Sequence, residues 1–196
     1  MTPRLQTACF HLLRHGAPAR AGLLLGRTDL PSSPEGIAAC RERARALTFC
    51  HVVSSDLSRA CAAARAIAQD CGAAHTIDPR WRELDFGAWD GLAPDAIAPD
   101  ALGRFWSDPE GHAPPQGERW SQLTTRVGAA LAALPLRDTL IVTHAGAMRA
   151  ALATLLGLDV RQVWGFDLPY AARLSLRVWD ETGDGARGAQ ITGLQA

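Results

Sequence analysis

Leu12-Leu13-Arg14-His15-Gly16 is the stretch whose reading decides the fold. Cys9, Phe10, Leu12 and Leu13 make a short apolar run of the kind that forms a buried strand, and Gly16 behind it permits a sharp turn. An arginine and a histidine are thereby presented together at the C-terminal end of a strand, the edge of an open α/β sheet at which ligands bind. A fixed cation beside an imidazole suits a phosphate: the guanidinium grips two oxygens while a ring nitrogen faces phosphorus. Alone the tripeptide is weak evidence. Its weight depends on the partners that the rest of the chain supplies.

Outward from this stretch the pattern alternates strand and helix. Ser33 caps a helix with Pro34 at its first position, and Ile37, Cys40, Ala44 and Leu47 fall on one face. A strand follows at Cys50-His51-Val52-Val53-Ser54, Ser55-Asp56 opens a second helix to about Ala68, and His75-Thr76-Ile77 is a third strand. From Trp81 to Gly117 the pattern is irregular and rich in Pro, Gly and Trp, with a short helix over Ala96 to Trp106. Such an interruption reads as a lid or pocket wall at about 81–117 within a single domain spanning 1–196. A helix from about Glu118 to Leu134 leads to the strand Asp138 to Thr143, then His144-Ala145-Gly146 and a helix from about Met148 to Leu156. Leu174 to Val178 and Ala189 to Ile191, around the turn Thr182-Gly183-Asp184-Gly185, read as an antiparallel hairpin.

The 196 residues suffice for one well-buried core. A formal net charge of zero gives no bulk attraction to nucleic acid or membrane, so any anion site is local. All 20 Lys and Arg are Arg, which excludes a lysine nucleophile or Schiff base. The 5 cysteines form no C-x-x-C pair and read as small core thiols of a reducing compartment. With no secretory pattern at the N-terminus and Arg149 interrupting the longest apolar segment, a cytoplasmic protein is the expectation.

Two strands end in histidine, at His15 and His144, and a third runs into Ser54-Ser55-Asp56-Leu57-Ser58-Arg59. If the three are parallel, Arg14, His15, Arg59 and His144 crowd one sheet edge, where helix N-termini add donors. Arg59 in the first turn of a helix opposes the dipole and so suggests a nearby anion. His11, His51 and His75 lack such company and read as structural or surface residues, and His112 is undecided.

These residues carry a family resemblance. Leu13-Arg14-His15-Gly16, Gly26-Arg27-Thr28-Asp29 with Ser33-Pro34-Glu35-Gly36, Val53 to Ala60, Arg82 to Gly91 and Val142 to Gly146 resemble, in order, the motifs of the histidine phosphatase superfamily, which includes phosphoglycerate mutases and phosphomonoesterases. The short length and the Gly-Arg-Thr-Asp segment most resemble α-ribazole-phosphate phosphatases of cobalamin assembly. The resemblance implies a three-layer α/β/α sandwich around a mixed, mostly parallel six-stranded sheet with one antiparallel strand. It implies His15 as the nucleophile that forms a phosphohistidine, its ring kept neutral by Arg14, Arg59 and a cationic His144. His144 and the two arginines would stabilise the equatorial oxygens, and Glu83, flanked by Trp81, Phe86 and Trp89, would be the general acid and base. Glu118 is the second carboxylate of interest.

Gly26, Arg27, Thr28 and Ala145 are expected beside Arg14, Arg59 and His144 as substrate-binding residues, and no metal or cofactor is called for. The expected partner is a small-molecule phosphomonoester, with no nucleic acid and no membrane. The oligomeric state is not readable, a homodimer being one state open to it. Ala17-Pro18 and Ala21 depart from the family pattern; Ala21 stands where relatives have an Asn, which removes one phosphate donor, and Ser32 replaces an apolar contact. Leu23, Leu24 and Leu25 with Trp89 and Trp106 are candidates for an apolar pocket suited to α-ribazole 5′-phosphate. The alternatives are a phosphoglycerate mutase, a broad-specificity sugar or nucleotide phosphatase, and a non-catalytic phosphate-binding protein.

Overall fold

The computed structural model of the protein describes residues 6–180 and 187–196. Its elements in chain order are β1 (Thr7–Arg14), α1 (Pro34–Arg45), β2 (His51–Ser54), α2 (Ser58–Cys71), β3 (Ala74–Ile77), α3 (Pro99–Ser107), α4 (Trp120–Ala133), β4 (Thr139–Thr143), α5 (Ala145–Leu156), α6 (Val160–Trp164), β5 (Arg173–Asp180) and β6 (Arg187–Gln195). The six strands form one sheet in the order β3-β2-β4-β1-β5-β6. The pairs β3–β2, β2–β4 and β4–β1 are parallel, while β5 runs antiparallel to both β1 and β6. The mixed, mostly parallel α/β sandwich is therefore as expected. The turn Thr182 to Gly185 lies outside the described residues.

Alternation along the strands builds the two sides of the core. Phe10 and Leu12 of β1, Val53 of β2 and Ile141 of β4 join the cluster packed by α4 and α5. Their neighbours Leu13, Val52, Leu140 and Val142 join the cluster packed by α1 and α2. Both faces of each central strand are thus apolar, the signature of a sheet covered on both sides. Leu12, Leu13, Leu140 and Ile141 are fully buried. Each contributes roughly 1.5–3 kcal/mol relative to exposure.

Of three local readings, one holds and two shift. Ser33 does cap α1, accepting from Gly36 N at 3.0 Å. The second helix begins at Ser58 rather than at Ser55-Asp56, and its N-terminus is capped from a distance: Asp29 Oδ1 accepts from Ser58 N at 2.7 Å. Asp56 instead pairs with Arg82. Gly16 is not at positive φ. Its glycine permits close approach, because a Cβ there would lie 2.0 Å from Gly36 O. The loop after β1 is pressed onto the first turn of α1, which fixes where His15 points.

Residues 82–119 cross the C-terminal edge of the sheet as short turns plus α3. Phe105, fully buried, is the hub of this excursion, packing edge-on against Phe86 and Trp89. Trp164 Nε1 donates to Trp106 O at 3.1 Å and ties α3 to α6. Among the described residues no helix is long and apolar enough to cross a membrane.

Candidate active site

Register gathers the site. Arg14 stands opposite Thr143 across β1–β4, and Ser54 opposite Val142 across β2–β4. The next residues of the three strands are His15, His144 and Ser55, so they leave the sheet side by side. His15 N donates to Thr143 O at 2.8 Å and Ser55 N to Val142 O at 3.2 Å. The His15 and His144 rings meet edge to face with centroids 5.0 Å apart.

His15 is 4 % exposed. Its Nδ1 lies 2.8 Å from Gly16 O, an acceptor only, so Nδ1 carries the hydrogen and Nε2 keeps its lone pair. Burial, then the charges of Arg59 and Arg14, push its pKa down to about 3. The ring is therefore neutral at neutral pH, with burial ahead of the expected charges as the cause.

Arg14 stacks over the Tyr170 ring at 4.2 Å and donates through Nη1 to Leu168 O at 2.6 Å. Its Nε is buried without a hydrogen-bond partner. Arg59 contrasts with it. Fully buried, it donates to Thr28 O (2.8 Å), to Leu25 O (2.8 Å) and Gly26 O (2.7 Å), and through Nε to His144 Nδ1 (3.3 Å). These bonds use four of the roughly five N–H donors that a guanidinium carries.

His144 corrects an expectation. Burial, followed by the charges of His15, Arg59 and Arg14, holds its pKa well below the ordinary value, so the ring is neutral rather than cationic. With Nδ1 accepting from Arg59, Nε2 carries the hydrogen and faces Ser55 Oγ at 2.9 Å. It remains a donor, without the charge.

Glu83 is half-buried, and backbone donors hold its carboxylate. Oε1 accepts from Leu84 N at 2.8 Å and Oε2 from Gly146 N at 3.2 Å, so it also caps α5. The neighbouring arginines are engaged elsewhere, Arg80 with Asp78 and Arg82 with Asp56. Arg126 anchors the segment by donating to Arg80 O, Arg82 O and Glu83 O at 2.7–2.8 Å. Glu118 is that arginine's partner at 2.7 Å, a structural role in place of an acid–base one. Thr143 Oγ1 donates to Trp81 O at 2.6 Å and ties the same segment to β4.

Arg14, His15, Glu83 and Ala145 open onto one cavity of about 210 Å³, with Arg59 and His144 fully buried behind it. Gly26, Arg27 and Thr28 do not line it. Their amides point to Asp90, whose Oδ1 accepts from Gly26 N (3.0 Å) and Oδ2 from Arg27 N (2.7 Å) and Thr28 N (2.9 Å). The Arg27 side chain pairs with Asp85 in solvent. The three residues frame Arg59 instead of presenting donors to the cavity. Leu23, Leu24, Leu25 and Trp106 line the walls, while Trp89 belongs to the packing around Phe105.

Ser55, Tyr170, Asp90 and Arg149 stand in or behind the site without having been singled out. Tyr170 is the chain's 1 tyrosine and directly precedes the last hairpin, a signal that was available. Ser32 Oγ lies within hydrogen-bond distance of Gly16 O and Arg59 O, which makes it a tie between loop and helix. His11, His51 and His75 bond to Ser175, Thr76 and Ser54, and His112 is exposed on the excursion.

Comparison with known proteins gives a consistent picture. The family model of the histidine phosphatase superfamily (branch 1) matches residues 10–187. A curated relative from Enterobacter sp. (strain 638), named "Probable phosphoglycerate mutase GpmB", is 35% identical over 160 residues, 76% of this chain and 74% of its own. The solved structure of "Mycobacterial hydrolase 2" superposes with a TM-score of 0.84 at 26% identity, covering 95% of this chain and 90% of that one. A mycobacterial glucosyl-3-phosphoglycerate phosphatase in its native form superposes with a TM-score of 0.84 at 25% identity, covering 95% and 97%.

Proposed function

The chain belongs to the histidine phosphatase superfamily, and from that premise we propose that it hydrolyses small phosphomonoesters through a phosphohistidine on His15. One observation carries the reading: the His15 ring is buried, neutral and fixed by Gly16 O, with its Nε2 lone pair free beside Arg14. Nε2 attacks phosphorus, the P–O bond to the alcohol breaks, and Glu83 gives the departing oxygen its proton. Glu83, now a carboxylate, takes a proton from water, which attacks the phosphohistidine, returns the ring to its neutral state and releases phosphate.

Arg14, with its unpartnered Nε, is the principal grip on the transferred group. Arg59 contributes its one remaining N–H, and His144 donates Nε2–H to a phosphoryl oxygen in exchange for Ser55. Electrostatics and positioning by these groups supply what phosphoryl transfer requires. Such chemistry admits accelerations up to ~10²¹ for the slowest uncatalysed monoester hydrolyses.

The leucine and aromatic walls support a substrate with an apolar part. α-Ribazole 5′-phosphate of cobalamin assembly is the base-bearing candidate, its phosphoryl group at His15 and its base toward Leu23, Trp106 and Trp164. Five free cysteines fit an enzyme of the cytoplasm. The test is phosphoenzyme trapping: a labelled phosphomonoester leaves an acid-labile, base-stable label on the native protein and none on His15→Ala. Equal labelling of both would overturn the reading.

A second reading, return of the phosphoryl group to a bound hydroxy acid, is favoured by the name of the 35% identical relative. Phosphate release from 3-phosphoglycerate supports hydrolysis, and its conversion to the 2-isomer supports the mutase.

A further inference from the structure

Arg14 is held differently from Arg59 and Arg126. Arg59 is fixed by hydrogen bonds along its whole guanidinium, and Arg126 by Glu118 and by backbone carbonyls. Arg14 donates only from Nη1 to Leu168 O, and among the described residues no carboxylate lies within ion-pair distance of it. One bond at the tip leaves a long side chain free to pivot about it. What supplies the missing constraint is a ring. The guanidinium carbon is 4.2 Å from the centroid of Tyr170, inside the roughly 6 Å of a cation–π contact. A planar group stacked in this way cannot turn out of its plane without losing the contact.

The same ring meets the nucleophile: the centroids of Tyr170 and His15 are 5.5 Å apart, with the planes at 47°. Tyr170 thus touches both the attacking residue and its cationic neighbour, and it lines the cavity. A strained turn puts it there. Ala172 N donates to Pro169 O at 2.9 Å and closes a four-residue turn in which Ala171 has a φ of 60°, a conformation that favours glycine. The Ala171 side chain is buried in the cluster packed by α1 and α2, which anchors the turn. Two backbone bonds tie it to the end of β1, from Ala171 N to His15 O at 3.2 Å and from Arg14 N to Ala172 O at 2.9 Å. Strained backbone of this kind persists where the surroundings over-determine it, and it clusters at functional sites.

We infer that Tyr170 is a positioning residue for the phosphoryl grip: its ring holds the Arg14 guanidinium in one plane and keeps the free donors available to the group that His15 transfers. The inference rests on the phosphohistidine reading above. Two oxygens are gripped by parallel N–H groups only when the guanidinium fork lies in their plane. A small misplacement of such a group is felt most in the transition state. Both contacts of Tyr170 are made by its ring, so the hydroxyl is not what positions Arg14. Phenylalanine should therefore do the same work, and an aliphatic side chain should not.

The experiment compares Tyr170→Phe and Tyr170→Leu with the native protein. It follows vanadate affinity, kcat/KM on p-nitrophenyl phosphate, and the proton resonance of Arg14 Hε, assigned by its loss in Arg14→Met. A proton over a ring face is shifted upfield, so Arg14 Hε in the native protein and in Tyr170→Phe is expected upfield of the exposed arginines. In Tyr170→Leu that shift disappears, the vanadate Kd rises about tenfold and kcat/KM falls with it, as loss of a partly desolvated cation–π contact implies. Tyr170→Phe stays within about threefold of native in both. A native Arg14 Hε resonance among those of the exposed arginines would overturn the inference, and that measurement needs no variant to fold. Near-native vanadate binding in Tyr170→Leu would overturn it too, as would a Tyr170→Phe protein impaired as much as Tyr170→Leu, which would move the role to the hydroxyl. If the native protein turns over no phosphomonoester and His15 takes no label, the phosphatase reading falls, and the Arg14 resonance still reports whether the stack exists.

Discussion

A Cβ placed at Gly146 would lie 2.2 Å from Oε1 of Glu83, so the first turn of α5 carries glycine where the carboxylate crosses it. Gly146→Ala favours the helix by about 0.5–1 kcal/mol and displaces only the end of a flexible side chain. The fold should survive and proton transfer should not. We expect turnover of an alkyl phosphate to fall roughly 10²–10⁴-fold, the span ascribed to general acid–base catalysis. p-Nitrophenyl phosphate, whose leaving phenolate needs little protonation, should fall far less, and Glu83→Gln should show the same contrast. Equal losses on both substrates would remove Glu83 from proton transfer.

Asp90 acts on Arg59 through the backbone between them. Its carboxylate accepts three amides from Gly26 to Thr28, and carbonyls of that loop hold the guanidinium. In Asp90→Asn one acceptor oxygen becomes an NH₂ facing backbone N–H groups, and bonds worth about 1.5–3 kcal/mol each to a charged group are weakened. Vanadate affinity is expected to drop about tenfold, with kcat falling alongside, while the circular dichroism of the core stays native. Calorimetric titration measures the first effect. Unaltered vanadate binding would mean that Arg59 needs no frame.

Gly36 and Gly16 face each other without room for a methyl group. A Cβ at Gly36 would lie 2.5 Å from Ala17 O, and one at Gly16 2.0 Å from Gly36 O, backbone in each case. Gly36→Ala should therefore lower stability by about 1–3 kcal/mol, as overpacking does, with the urea m-value unchanged. Gly103, inside α3 with nothing within 4 Å of its virtual Cβ, is the control. Gly103→Ala should be neutral or mildly stabilising by the same urea midpoint.

Strand-end chemistry was legible in the sequence because β1 and β4 write their burial as apolar runs, broken in β1 by His11, which place Arg14, His15 and His144 at one edge. The second helix was misplaced by three residues because its cap, Asp29, is distant in sequence, so Ser55-Asp56 looked like the local signal. Gly26 to Thr28 were expected at the substrate because a motif names residues without saying which way their amides point; Asp90 turns them away from the cavity. The charge of His144 was misjudged for a related reason. Burial outweighs residue type, and periodicity does not show that a strand-end ring is buried among Arg59, Ser55 and the His15 ring. Arg149 read as a polar break in an apolar helix, and only folding shows that the break faces the cavity.

Neutral histidines sealed in the fold make stability depend on pH, and the sign follows from where each state takes up protons. The pKa of His15 is about 3 in the folded protein, against an ordinary value of 6.5, and that of His144 is lowered in the same direction. Above pH 6.5 neither state protonates these rings, and their contribution is fully present. Below it the unfolded chain binds protons that the folded protein refuses. Stability is therefore lost as pH falls from about 6.5 toward 3, by up to about 1.4 kcal/mol per pH unit for each such histidine. Asp56 and Asp78, paired with Arg82 and Arg80, have pKa values below the usual carboxylate range, so their contribution is lost at lower pH. The interval from pH 6.5 to 4.5 accordingly reports on histidine. Urea midpoints across it should give a slope in His15→Asn that is shallower than native by about one proton. Parallel curves would show that the native His15 ring accepts its proton without unfolding, and the free lone pair at Nε2 would then be absent at acidic pH.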